Sequence, residues 1–366
     1  MDAALAAVSG LFTGRECGPL PVRLRRAGGA RCHAERVSNS HSRVWRDGVE
    51  LAADFPLADL DHWLATPGVL IWFDLLAPDP AVLDALALEL NLDPLAVEDA
   101  MEPRERPKAT VHASHIFLTC YSTDFPELTD AGARLEVGRI SAFVLPNALI
   151  TVRPDVRVDI SAILARWTGD GLLGNGVAAL LHGMLDHLVD GHFDTIERMD
   201  DVLENLEDLL FDPAMNTREI QQRVFGLRKA LVQLRRVVLP MREVVTAVMR
   251  FRTDGTRTMS TEMDGHFNDL YDHVIRAAEW TESLRDMVSG VFETNLSLQD
   301  ARLNEVMKKL ASWAAIIAVP TAVTGWFGQN IPYPGYMADW GLLQSVALML
   351  IGTVGLYILF RKVDWI

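Results

Sequence analysis

Cysteine is scarce in this chain: three, Cys17, Cys32 and Cys120, stand among 366 residues. They are too few and too scattered for a disulfide framework, which fits a reducing compartment. Basic excess is missing as well. A formal charge of −15 argues against nucleic acid as a partner and suits a protein that attracts cations. The sequence contains no phosphate-cradling glycine loop and no nucleophile–base constellation, so an enzyme is the least expected class. A secretory leader is also lacking. Residues 3–12 are apolar but short, are broken by Ser9-Gly10, and have no basic flank; the first membrane span is expected to act as its own late signal.

The most informative absence is charge near the C-terminus. Residues 311–327 and 342–360 carry no charged side chain, and each run is close to the roughly 20 residues that a helix needs to cross the hydrocarbon core. Between them lies Gly328-Gln329-Asn330-Ile331-Pro332-Tyr333-Pro334-Gly335. The sequence therefore predicts a transmembrane hairpin over 311–366 with an external loop over 328–341. Lys308 and Lys309 before the first run and Arg361 and Lys362 after the second place both termini in the cytoplasm of an inner (plasma) membrane. Two helices cannot wall an aqueous path on every side, so transport requires an oligomer. Stepping by three and four from Asn304 gives Met307, Ala311, Ala314, Ala318, Thr321, Gly325 and Gly328. This small-residue stripe either lets helices pack closely in lipid or leaves room for an axial channel among copies.

Upstream, residues 1–40 scatter Arg15, Arg23, Arg25, Arg26, Arg31 and Arg36 among glycines and read as a flexible basic tail. Cys32-His33 has no partners nearby and is not expected to bind metal. Residues 41–173 mix strand-like runs with helices and read as a cytoplasmic α/β domain. The strands are expected at Val69-Leu70-Ile71-Trp72-Phe73, 116–121 and 141–145, with 148–152 as the hairpin partner of the last. Helices are expected at 80–90 and 94–101, each with a proline in its first turn.

From 174 to 310 the period is helical. Leu185, Leu188, Val189, Ile196, Met199, Leu203, Leu206 and Leu210 mark one stripe, and Asp186, Asp190, Asp194, Glu197, Asp200, Asp201, Glu204, Glu207 and Asp208 its opposite face. That acidic face either concentrates cations or is simply solvated, the second being the expectation. His182, His187 and His192 interleave with these acids at spacings that suit a transition metal, yet incidental histidines on a wet face are the simpler account. A second helix over 218–250 carries Pro240 as an expected kink, and a third begins near Glu262 and runs unbroken into the membrane.

Several segments together resemble the CorA family of divalent-cation transporters. They are Tyr271-Asp272-His273, Leu284-Arg285-Asp286-Met287-Val288-Ser289-Gly290, Asn304-Glu305-Val306-Met307-Lys308-Lys309-Leu310, and the spans joined by Gly328-Gln329-Asn330. Asp93-Pro94-Leu95-Ala96-Val97-Glu98-Asp99 followed by Arg106-Pro107-Lys108 resembles the family's cytoplasmic domain. The resemblance implies an α+β membrane protein: an N-terminal cytoplasmic α/β domain, a long helical stalk and funnel, and two C-terminal spans, assembled as a homopentamer in the bilayer with the first spans around the pore.

The resemblance also implies roles for particular residues. Gly328, Gln329 and Asn330 take the place of the family's Gly-Met-Asn selectivity loop, in which neutral oxygens hold hydrated Mg²⁺ through its water shell. No carboxylate follows closely; Asp339 is the first. Glu293 and Asn304 match pore positions, Met307 and Leu310 match a hydrophobic constriction that closes by dewetting, and Ala314, Ala318, Thr321 and Gly325 continue the lining. Asp300 joins them by helical spacing alone. Asp99 and Asp269 match carboxylates that bind regulatory Mg²⁺ between subunits. The expected function is a Mg²⁺ channel gated by cytoplasmic Mg²⁺, with Co²⁺, Ni²⁺ or Zn²⁺ as further cargo. A zinc or other transition-metal transporter and a weakly conducting sensor or scaffold are the alternatives.

Overall fold

The computed structural model describes residues 40–126, 134–210, 217–253, 261–329 and 332–366. The expected basic tail up to residue 39, with Cys17, Cys32 and His33, and the loop residues Asn330 and Ile331 lie outside the described residues.

Seven strands, β1 (Ser40–Arg46), β2 (Val49–Ala53), β3 (Leu70–Leu76), β4 (Lys108–Val111), β5 (Ile116–Asp124), β6 (Glu136–Val144) and β7 (Ala148–Arg153), form one sheet in the order β2-β1-β3-β7-β6-β5-β4. Only β3 and β7 pair in parallel; the other neighbours are antiparallel. The period of two in a strand divides the apolar runs between two cores. In β3, Leu70 and Trp72 enter one cluster while Ile71, Phe73 and Leu75 enter the other. The same split separates Leu118 from Phe117 in β5 and Leu149 from Ile150 in β7. A sheet buried on both faces explains why β3 reads as continuous apolar sequence rather than as an alternation.

One face is covered by α1 (Leu60–Leu64), α2 (Pro80–Leu90) and α3 (Pro94–Met101). Both expected helices lie where the prolines put them, and Asp79 and Asp93 complete the ends by accepting from the amides of Ala81 and Leu95, each at 2.9 Å. The other face meets α4 (Ile160–Gly169), α5 (Val177–Leu210), α6 (Thr217–Thr253) and the start of α7 (Asp264–Phe327). Gly183 of α5 is required there by space. A Cβ at that position would lie 2.6 Å from the Trp167 ring of α4, whose indole N–H donates to the Leu180 carbonyl at 2.9 Å.

Beyond the sheet, α5, α6 and α7 continue together around a third core. The buried positions of α7 run Phe267, Leu270, Val274, Ala277, Thr281, Leu284, Val288, Val291 and Asn295. These three-and-four steps form the seam of a coiled coil. Pro240 lies inside α6. The last helix, α8 (Asp339–Lys362), folds back along the end of α7.

Two expectations for α5 are corrected. The apolar stripe is buried as read, but Asp186, His182 and His192 are buried too, so the polar side is not simply wet. The reason is that α5 is sandwiched: β5 and α4 meet faces of it that isolated helical periodicity assigns to water. His192 sits under β5, its Nε2 2.9 Å from the Tyr121 carbonyl, and burial pushes its pKa down from 6.5 to about 4.

Because the unfolded chain takes up the proton first, His192 leaves stability unaffected above its unfolded pKa of 6.5 and lowers it progressively toward about 4. Denaturant titrations of the detergent-solubilised protein should show this decline. His192→Gln, which keeps a donor for Tyr121, should remove up to about 1.4 kcal/mol of it per pH unit. An unaltered pH dependence in the variant would contradict the assignment.

Candidate ion pathway and regulatory carboxylates

Within the spans, α7 and α8 meet along a narrow seam. Ser312, Ile316 and Val323 of α7 are buried, and a Cβ at Gly352 of α8 would lie 2.7 Å from a methyl of Val319. At about 100° per residue, these four positions share one face of α7. Ala314, Ala318, Thr321 and Gly325 centre about 160° away on the same wheel, and all four are exposed. The expected lining thus lies opposite the hairpin seam. In the α7 span the threonine hydroxyls are satisfied locally: Thr321 donates to the Ile317 carbonyl at 3.2 Å and Thr324 to that of Pro320 at 2.8 Å, as hydrocarbon surroundings favour.

Glu293, Asp300, Asn304, Met307 and Leu310 continue the same direction toward the cytoplasm, and each is exposed. The coiled-coil seam ends at Asn295 and burial resumes only at Ser312. From Asp300 to Ala311 every residue of α7 is exposed on every side, including the large apolar Leu303, Val306, Met307 and Leu310.

At the far end, Gly328 terminates α7 with its N–H donating to the Thr324 carbonyl at 2.9 Å, and the Gln329 N–H reaches the Trp326 carbonyl at 3.3 Å. Gln329 is exposed. The turn that follows is packed: the rings of Phe327, Tyr333 and Tyr336 stack edge to face in sequence. Gly335 has φ +92°, and its carbonyl approaches Gly341 so closely that a Cβ there would lie 2.3 Å away.

Asp99 and Asp269 occupy α3 and α7, and their surroundings differ. Asp99 pairs with Lys108 Nζ at 2.7 Å, and Glu105 reaches the same ammonium at 3.0 Å. Burial lowers the Lys108 pKa, but hydrogen bonds to Asp99 and Glu105 outweigh it and raise the pKa above its ordinary value. Asp269 is exposed and lies 3.8 Å from His273. Sequence reading missed Lys108 as the counter-ion of Asp99, because the contact joins two separate elements, α3 and β4.

The histidine and aspartate spacings along α5 do not by themselves make a metal set. Among the described residues the structure groups Asp186 and Asp190 with His273 of α7. Arg166 of α4 enters this group, donating to Asp186 and, at 2.7 Å, to Asp190. A guanidinium thus already engages both carboxylates. His182 turns away to the His266 carbonyl at 3.2 Å.

Residues 67–362 match the family model described as CorA-like Mg2+ transporter protein. The cobalt/magnesium transport protein CorA of Thermotoga maritima is 29% identical over 281 residues, which cover 75% of this chain and 77% of that protein. A more distant relative, the zinc transport protein ZntB of Yersinia enterocolitica, is 22% identical over 209 residues, 57% of this chain and 61% of that one. The complete structure of the CorA magnesium transporter from Methanocaldococcus jannaschii shares the fold, with a TM-score of 0.69 at 23% identity over 89% of this chain and 98% of that chain. With the family model spanning strands β3 to β7, the stalk and both spans, the chain belongs to the CorA-like Mg²⁺ transporter family.

Proposed function

We propose that this chain is one subunit of a homopentameric divalent-cation channel whose principal cargo is Mg²⁺. Divalent-cation transport follows from family membership; the pentamer and the residue roles are the further step. The observation that carries it is the bare stretch of α7 from Asp300 to Ala311. A helix exposing Leu303, Val306, Met307 and Leu310 to water on all sides lacks the tertiary packing on which helical stability mostly depends. Copies around an axis supply that packing, and they turn Asn304, Met307, Leu310, Ala314, Ala318, Thr321 and Gly325 inward. Met307 and Leu310 then form an apolar ring that closes by dewetting. Gln329 and Asn330 at the outer mouth present neutral oxygens to a hydrated ion, so Mg²⁺ enters without shedding its waters.

Both termini face the cytoplasm in this reading, supported by Lys308, Lys309, Arg361 and Lys362 flanking the two apolar helices. A second reading, transport of zinc or another transition metal, is supported by the similarity to the zinc transport protein. The burial of His182 and His192 in the chain's own core removes two ligands it would have used.

Ion flux into liposomes containing the purified protein separates these readings, comparing Mg²⁺, Co²⁺, Ni²⁺ and Zn²⁺ with and without a proton gradient. Mg²⁺ should enter without a proton gradient, and Ala318→Phe should cut the flux about tenfold or more by filling the narrow lining. Proton-dependent Zn²⁺ uptake without Mg²⁺ flux would favour the second reading, and absence of any flux a sensor or scaffold.

Cytoplasmic Mg²⁺ gates the channel by bridging Asp99 and Asp269 of adjacent subunits. Carboxylates brought together repel unless a cation lies between them, and Mg²⁺ at Asp99 has to displace the Lys108 ammonium that pairs with it in the single subunit. Millimolar Mg²⁺ should protect the funnel from proteolysis by binding the closed state. Asp99→Asn with Asp269→Asn should weaken both that protection and the inhibition of flux. Full Mg²⁺ protection in this double variant would place regulation elsewhere.

A further inference from the structure

A cleft of about 1290 Å³ separates the α/β domain from the middle of α6. In a chain of net charge −15, its lining is strongly basic. Six cations face it, Arg104, Arg106, Arg134, Arg157, Lys229 and Arg236, against two carboxylates, Glu105 and Glu136. Glu105 is engaged by Lys108 at 3.0 Å. Arg157 is held by Asp155 at 3.2 Å and by the Val137 carbonyl at 3.1 Å. The other five cations make no hydrogen bond or ion pair with a described residue.

Five cations facing one uncommitted carboxylate, Glu136, repel one another, and nothing in the packing requires them, because all five side chains are exposed. Between them the cleft has an apolar floor of Pro107, Leu135, Ala230 and Val237, all buried. We infer that this cleft binds a soluble polyphosphate of the nucleoside triphosphate class. Arginine forks match phosphate oxygens in pairs, and several cations on both walls suit a chain of phosphates better than a single anion. The apolar floor accommodates a base and sugar.

A membrane phosphate cannot reach this position. Arg235, beside Arg236, pairs with Glu282 of α7 at 2.5 Å, and from Glu282 to Lys308 the helix runs about 40 Å at about 1.5 Å per residue. The ligand therefore comes from solution. Its seat joins the loop after α3, which follows Asp99 closely, to α6, which is tied to α7. A nucleoside triphosphate bound there links the α/β domain to the stalk by a route separate from the proposed Asp99–Asp269 site.

Isothermal titration of the full-length protein in detergent, in Mg²⁺-free buffer at low salt, tests the inference with ATP and inorganic triphosphate as probes. Saturable binding of ATP, weakened by added salt and tighter than that of inorganic triphosphate, is expected. Arg106→Glu with Arg236→Glu should weaken ATP by about tenfold or more for each reversal. Arg46→Glu, on β1 outside the cleft, should leave it unchanged, with thermal melts confirming that all variants fold. Absence of saturable binding to the wild-type protein, or undiminished binding in the double reversal, overturns the inference. Equal affinity for the two probes overturns the nucleoside part.

Discussion

The structure depends on a single uninterrupted helix, α7, that has to satisfy three surroundings in turn. Near its start it lies against the sheet, further on it forms a coiled-coil seam with α5 and α6, and at its end it packs on α8 in the span. Each environment fixes one face and leaves the other open. From Asp300 to Ala311 neither partner is present, and the helix is bare. Its 64 residues correspond to about 96 Å, so a displacement at the cytoplasmic end is carried mechanically toward the proposed constriction at Met307 and Leu310.

The α/β domain anchors this lever. Its sheet is buried on both faces, and a buried ion pair fastens the two parallel strands: Arg153 donates to Asp74 at 2.6 Å, while Thr151 links that carboxylate to the Trp72 indole. Such a pair offers weak net stabilisation but strong geometric definition, because either partner left alone is a buried charge. On the far side, Arg166 ties α4 to the acids of α5, and His273 brings α7 to the same place. The helix that reaches the membrane thus passes beside this charged group close to the proposed regulatory Asp269.

What the sequence made legible follows from how local each signal is. The spans, α2 and α3 declare themselves through composition and through prolines at fixed offsets. The strands β3, β5, β6 and β7 are recognisable as β-rich runs. Sheet order is not, because a parallel β3–β7 pairing is decided by helices that arrive much later in the chain. The polar side of α5 misleads for the same reason: Asp186 and His192 are read as wet until β5 and α4 are placed on them. The candidate lining residues could be selected by helical steps, which place them on one face of α7 opposite the seam with α8. Lys108 beside Asp99, and Arg166 beside Asp186, are contacts between separate elements that no spacing announces.

The claim that most of this account rests on is that α7 is completed by copies of itself. Native mass spectrometry of the detergent-purified, full-length protein measures it directly. The account predicts a homopentamer that persists when Mg²⁺ is removed, because apolar packing around Leu303, Met307 and Leu310 holds it. A monomer with α7 still helical would contradict it.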